Sequence, residues 1–394
     1  MLIETTADVF GLALAKVKPA VERRNTIPIL STVLITNGVV TATNLDMQVC
    51  ISFPAKSMTG AAAVPFFQLY RIVSNLPPET EIRIEDANRG EDKSFKHGVR
   101  LSFDGGSYWL PSQDPDEFPV FKTYSDTKRV VLPDGFKKAL EKVLPAISTE
   151  ETRYYLNGVC FSKNKDDEQV LVTTDGHRLI AHKYDHGIEG QKILPRMMIP
   201  AIMGLPEPTA ITYSDLHFDL EFPGGSMSMK LIDGVFPDWG RVVPEIKGDQ
   251  PKLTLNPQTF TRVIKRIAEN TRLGVCLAAS SADQTLTVSQ VTADGDEGME
   301  RVPDAAVENW PSSDSDTPQV WSFNANYLLD LCRLYRLEDE IVITAQGKGQ
   351  PTHVFPLESK TSSVLMPMRE MDAGFAERSV SFFAHPQAQN RRAA

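Results

Sequence analysis

Histidine titrates nearest neutral pH of all side chains and is the commonest metal ligand. The run VLVTTDGHRLIAH at residues 170–182, with one more histidine just beyond it, is therefore the natural place to look for chemistry. His177, His182 and His186 would serve a metal-assisted hydrolase if they converged on one ion. The company they keep argues against it. No Ser or Cys nucleophile motif accompanies His177, and His182 and His186 lie where the chain is leaving the strand-like run. The plainer alternative is a hairpin that turns at Asp175-Gly176. Cys50, Cys160, Cys276 and Cys332 are scattered singly, without the paired spacing of a zinc or redox site. The stretch AQGKGQPT around Gly347 lacks the spacing of a phosphate-binding loop. No catalytic residue, metal or cofactor is expected.

The elements that must position these side chains recur three times along the chain. Amphipathic helical patterns start at Asp8 (DVFGLALAKVKPAV), Asp134 (DGFKKALEKVLPAI) and Pro257 (PQTFTRVIKRIAEN), with Asp or Pro as helix-start signals. Strand-like alternation follows each: VVTATNLDMQVCI, VLVTTDGHRLIAH and LTVSQVTADGDEG, the first two superposing Thr43-Asn44 on Thr174-Asp175. A second helical pattern then follows in VPFFQLYRIVSNLPP, IPAIMGLPEP and FNANYLLDLCRLYRL. The expected fold class is α+β, with three repeated domains of two helices and antiparallel strands each. Boundaries near residues 125 and 248 give domains at 1–125, 126–248 and 249–369, followed by an extension at 370–394 that ends in HPQAQNRRAA and is expected to be flexible. Asp46 and Met47 stand in the first repeat where His177 and Arg178 stand in the second, so the repeat itself does not require His-Arg; the pair belongs to a site.

No apolar run approaches the roughly 18 residues of a membrane span. The start MLIETTADVF lacks a signal-peptide pattern, which leads us to expect a cytoplasmic protein without a membrane partner. The formal net charge is −10, yet the helices are basic, with Lys16, Lys18, Arg71, Lys137, Lys138, Lys142, Arg196, Arg262, Lys265, Arg266, Arg333 and Arg336 outnumbering their acids. Equivalent helices lining one surface would meet phosphates without reading bases.

Five motifs carry a specific resemblance: RRNTIPILSTVLI, RYYLNGVCF, TTDGHRLIAH, FPDWGRVVP and VLMPMR, in that order over about residues 1–369. Together they resemble the bacterial DNA polymerase III beta subunit family, the sliding clamps. The resemblance implies three clamp-fold domains per chain, a head-to-tail homodimeric ring lined by helices, and no catalysis. It implies as partners double-stranded DNA held without sequence specificity, the catalytic subunit of the replicative polymerase, a clamp loader, and other polymerases and repair proteins with clamp-binding motifs. Taking about 13 Å as a domain's radius of gyration, three domains in a ring leave a hole of a few Å and six leave roughly 34 Å, so one chain alone does not encircle a duplex.

By the same resemblance a peptide-binding pocket is formed by Leu156, Thr174, Gly176, His177, Arg178, Leu179, Pro237, Arg241, Val242, Val364, Met366, Pro367, Met368 and Arg369. DNA contacts fall to Arg24, Arg71, Arg153, Tyr154 and Tyr155, joined by the helical Lys138, Lys142, Arg196, Arg262 and Lys265. The dimer seam falls to Tyr108, Leu110 and Ile267. Two departures bear on DNA contact by loops: Glu150 stands beside the loop expected to meet DNA, and Gly240 stands where members often carry a second arginine. In the extension, Val380, Phe382 and Phe383 loosely resemble the hydrophobic half of partner motifs, so the tail is a candidate self-occluding tether. A specialised paralogue and a peptide-binding hub that never encircles DNA are the alternatives.

Overall fold

Apolar residues at helical spacing form seven helices among the residues described in the computed structural model, which are 1–23, 26–87, 97–121, 126–268, 274–292, 294–310, 320–345, 349–357, 359–368 and 373–384. They are α1 (Ala7–Val17), α2 (Phe66–Val73), α3 (Phe136–Val143), α4 (Ile199–Gly204), α5 (Pro257–Ile267), α6 (Ala325–Leu334) and α7 (Ala373–Ala384). The first six fall where the repeated patterns place them. Start signals differ in detail: Asn256, ahead of Pro257, caps α5 by accepting from the amides of Gln258 (3.0 Å) and Thr259 (2.9 Å), and Asn324 does the same for α6.

Backbone contacts group the chain into two compact units, Met1–Lys137 with Asp185–Asp233, and Lys138–Tyr184 with Gly234–Ala394. Every strand pair described is antiparallel. In the first unit, a five-stranded sheet ends on Gly106–Pro111, and in the eight-stranded sheet Gly225–Lys230 pairs with Met47–Ser52. Hydrogen bonding thus continues from the first repeat directly into the second. In the second unit the strands Gly158–Lys163, Gln169–Thr174, Arg178–Lys183, Thr361–Leu365, Thr352–Phe355, Ile341–Ala345, Lys252–Leu255 and Ala306–Glu308 follow one another in one sheet. A second, four-stranded sheet has the order Glu297–Arg301, Thr285–Val291, Gly274–Ser280, Val320–Asn324.

The repeat is visible in the hydrogen bonds of its turns. Thr43 Oγ1 donates to the Met47 carbonyl (2.9 Å) and accepts from the Leu45 amide (3.1 Å), while Asn44 Oδ1 accepts from the amides of Asp46 (3.1 Å) and Met47 (2.8 Å). In the second repeat Thr174 Oγ1 donates to the Arg178 carbonyl (2.7 Å) and accepts from Gly176 (3.1 Å), and Asp175 Oδ1 accepts from His177 (2.9 Å) and Arg178 (3.0 Å). The Thr-Asx pair makes the turn.

The extension departs from the expected flexible tether. Residues 373–384 form α7, which packs on Gly274–Ser280 and Thr285–Val291. Ala376 is fully buried beside Cys276, Ala278 and Val320, Val380 packs against the same cluster, and the Thr287 and Ser379 hydroxyls meet at 2.6 Å. The physical reason is that this sheet offers apolar and small side chains on both faces, and α7 removes one face from water. Val380 is thereby committed to the core, and Phe382 and Phe383 ride on a helix, ring to ring at 5.0 Å. The final HPQAQNRRAA lies outside the described residues, as does Gly347.

This packing gives a first prediction. Ala376→Asp should destabilise the chain by about 2–4 kcal/mol in chemical denaturation, because an unpaired charge enters an apolar contact, whereas Glu377→Ala on the exposed side should stay within about 0.5 kcal/mol. Equal, negligible effects would restore the free tether.

Candidate functional site

All fourteen residues of the expected pocket fall in the second unit, and thirteen are described; Arg369 is not. Its backbone frame is the pairing of Arg178–Lys183 with Thr361–Leu365, which sets Leu179 opposite Val364, both buried. The frame runs on through the amide of Met366, which donates to the His177 carbonyl (2.8 Å), and the amide of Met368, which donates to Ser322 (2.7 Å). Gly176 takes a φ of +89°, a left-handed conformation that glycine adopts without steric cost and that turns the chain so that His177 is exposed. Leu156 is buried at the end of the 3-10 segment Glu151–Leu156. Pro237, Arg241, Val242 and Met368 are exposed, and Met366 and Pro367 half-buried, so the set offers apolar surface to a partner.

Arg178 is the electrostatic centre. Its side chain is 11% exposed, its Nε donates to Asp175 Oδ2 (3.0 Å), its Nη1 donates to Asp330 Oδ2 (2.7 Å), and its guanidinium lies 4.3 Å from the ring centroid of Tyr327. That brace ties the hairpin turn to α6. Burial, with Asp175 close by, raises the Tyr327 phenol above its ordinary pKa. The His177 ring stacks 6.3 Å from Tyr327. Tyr327 and Asp330 were missed by sequence reasoning, although an aromatic and an acid three residues apart on an otherwise apolar helix face were the available signal. The helix is itself pinned by Tyr335, fully buried, whose hydroxyl meets Ser363 Oγ at 2.5 Å on the pocket strand.

The histidines have separate occupations. His182 Nδ1 meets Thr361 Oγ1 at 2.7 Å, and burial, helped by Lys142 and Lys360, lowers its pKa to about 4. His186 is buried and its Nδ1 accepts from the Ile188 amide (3.0 Å). Among the described residues no three His, Cys, Asp or Glu side chains are grouped to hold a metal. Cys160, Cys276 and Cys332 are buried and Cys50 half-buried, and all four are free thiols.

Of the residues expected at DNA, Arg24 lies outside the described set. Arg71, Lys138, Arg196, Arg262 and Lys265 are exposed, and Lys142 is half-buried. Arg153 is not a free cation: its Nε donates to Glu150 Oε2 (2.7 Å) and its Nη2 bonds the same oxygen, which lowers the Glu150 pKa together with the Thr152 hydroxyl. Tyr154 is exposed, edge-on to Tyr155 at 5.8 Å. A cleft of 520 Å³ between α5 and α6 is lined by Arg262, Lys265, Arg333 and Arg336 and by no carboxylate, although Asp330, outside the lining, pairs with Arg333 at 3.5 Å.

At the expected seam, Tyr108 is 47% exposed on the outermost strand of its sheet, stacked 6.2 Å from Phe103. Leu110, on the same strand, is 4% exposed. Ile267 is half-buried at the end of α5.

Antiparallel sheets carrying paired helices are an architecture this chain shares with solved DNA polymerase sliding clamps. The crystal structure of the DNA polymerase sliding clamp from Caulobacter crescentus superposes with a TM-score of 0.80 at 28% identity, covering 94% of this chain and 100% of that one. A sliding clamp (DNA polymerase III subunit beta) from Bartonella birtlesii, solved bound to griselimycin, gives 0.77 at 29% identity, covering 94% and 100%. Residues 131–238 match the family model for the DNA polymerase III beta subunit, central domain. The beta sliding clamp of Caulobacter vibrioides (strain NA1000 / CB15N) is 33% identical over 382 residues, covering 91% of this chain and 96% of its own length; that of Escherichia coli (strain K12) is 26% identical over 363 residues, covering 88% and 93%. The chain belongs to the beta sliding clamp family, a family of non-catalytic processivity subunits. Among the described residues no helix is long and apolar enough to cross a membrane.

Two predictions follow from this geometry. Asp330→Ala should cost about 2 kcal/mol, because it strips a partner from a nearly buried guanidinium, and adding Arg178→Ala should cost much less than the sum of the two single changes. Strict additivity in denaturant titrations would mean that no brace exists. The second concerns His353, 7% exposed, which touches Ser362 Oγ at 2.5 Å through Nε2 and has no partner for Nδ1 among the described residues. Burial lowers its pKa from 6.5 to about 4. The unfolded chain therefore takes up the proton first as pH falls: the stabilisation is complete above about 6.5 and lost progressively toward 4. His353→Gln should remove about 2 kcal/mol of the stability difference between pH 7 and pH 5. Parallel stability curves for the two proteins would contradict the assignment.

Proposed function

We propose that the chain works as a replication sliding clamp: two copies close head to tail around duplex DNA, three repeated domains in each, and hold a polymerase by a short peptide seated on Leu179, Val364 and Met366. The observation that carries the DNA half is the α5–α6 cleft, whose lining brings together four cations, only Arg333 of them paired to a carboxylate among the described residues (Asp330, 3.5 Å), in a chain of net charge −10. Such a surface meets the phosphate backbone and cannot read bases, since no recognition helix or aromatic ladder accompanies it. The peptide half is supported by the exposed Val242 and Met368 and the half-buried Met366 on a rigid frame, the arrangement that captures linear motifs. The expected domains 1–125, 126–248 and 249–369 remain our proposal for the repeat, with α7 as an appended cover rather than a fourth domain. Replicative and other polymerases, repair proteins with clamp-binding motifs and an ATP-driven loader are the partners this function requires. Ring closure is supported by the strands Gly106–Pro111 and Glu297–Arg301, each outermost in its sheet among the described residues, because a bare strand edge favours a partner.

The test is topological. Loaded onto closed circular DNA, the clamp should persist in salt that strips ordinary phosphate contacts and should be lost when the circle is cut; equal retention on both forms excludes encirclement. Reversing Arg262, Lys265, Arg333 and Arg336 to Glu should lower loading at least roughly tenfold, as like charge then faces the phosphates, while light scattering still reports two copies.

A further inference from the structure

We infer that a cavity beside the expected pocket is a second subsite, which takes one bulky apolar side chain from the stretch of partner peptide that continues beyond Leu179 and Val364; this rests on the sliding-clamp reading above. The cavity encloses 230 Å³, and its apolar lining comes from Val170, Ala181, Trp239, Val243 and Pro244. That is too small for an ordinary small-molecule site and suits a single large side chain.

Its position follows from strand register. Leu179 pairs with Val364, Ala181 with Ser362, and the Lys183 amide donates to the Lys360 carbonyl (2.8 Å). Side chains two residues apart share a sheet face, so these pairs step about 7 Å at a time from the expected pocket into the cavity. A peptide held at the first pair needs about two extended residues to reach the second. The segment over this face serves both places: Pro237, Arg241 and Val242 belong to the expected pocket, while Trp239, Gly240, Val243 and Pro244 line the cavity. Trp239 is pinned by its indole N–H, which donates to Ser162 Oγ (3.2 Å), so the aromatic wall is in place before any partner arrives.

Gly240 keeps the cavity open. A Cβ there would meet Asp238 Oδ1 at 3.6 Å and Lys165 Cε at 3.7 Å, ordinary contacts, and its φ is not positive, so the backbone does not demand glycine. What glycine provides is room. The rim is polar and mixed in charge: Lys165, Lys183 and Lys360 against Asp166 and Glu245, with Lys183 paired to Glu168 at 2.7 Å. It offers donors and acceptors to a peptide backbone without selecting a charged side chain.

The experiment titrates the full-length protein with a polymerase-derived clamp-binding peptide and with the same peptide extended by Gly-Trp or, as control, Gly-Gly at either end. One Gly-Trp extension should tighten binding about fivefold over its Gly-Gly control. The gain should survive Gly240→Ala and vanish in Gly240→Arg, which fills the space, while the parent peptide binds all three proteins alike. In the unmodified protein, the indole N–H resonance of Trp239 should shift with the Gly-Trp peptide only. A parent peptide that binds, with no gain from either extension, with a gain that persists in Gly240→Arg, or with an unmoved Trp239 indole, overturns the subsite and leaves the clamp reading standing. A parent peptide that does not bind, or binds regardless of Met366→Ala, overturns both.

Discussion

The antiparallel pairing of Arg178–Lys183 with Thr361–Leu365 is the constraint on which the second unit depends. It joins segments about 180 positions apart in sequence, and ordering so long a loop is repaid only by the ladder and the burial that accompany it. From that one register follow the contact of Leu179 with Val364, the bond from the Met366 amide to the His177 carbonyl, and the line of positions leading to Trp239. A slip of one residue would turn Leu179 and Val364 to the opposite face. The surface would then be lost without any side chain being changed.

Arg178 converts this register into a defined shape. A guanidinium so nearly buried is tolerable only with its donors satisfied, and Asp175 and Asp330 supply acceptors from two different elements while Tyr327 covers the flat face. Tyr335 then fixes α6 to the strand that bears Val364, so turn, helix and strand hold one another. The binding surface is thus preorganised, which lowers the ordering cost a peptide must meet. On the other sheet of the same unit, α7 covers a face that would otherwise present Cys276, Ala278 and Val320 to water.

Periodicity made the helices legible, because an amphipathic stripe with a start signal depends on local residues only. The equivalence of Thr43-Asn44 and Thr174-Asp175 was legible for the same reason: an Asx turn is written in four consecutive residues. What could not be read were facts of tertiary partnership. Tyr327 and Asp330 matter because of Arg178, far away in sequence. The helix at Ala373–Ala384 escaped notice because its apolar content was matched to partner motifs rather than weighed as a helix face seeking a sheet.

The proposed clamp function depends on where a partner's peptide sits. Methyl and amide chemical-shift mapping of a polymerase-derived motif peptide on the full-length protein measures this directly. It should show the largest perturbations at Leu179, Val364, Met366 and His177, with the frame of α6 around Tyr327 following. Perturbations confined to the first unit, for instance along Met47–Ser52 and Gly225–Lys230, would contradict it.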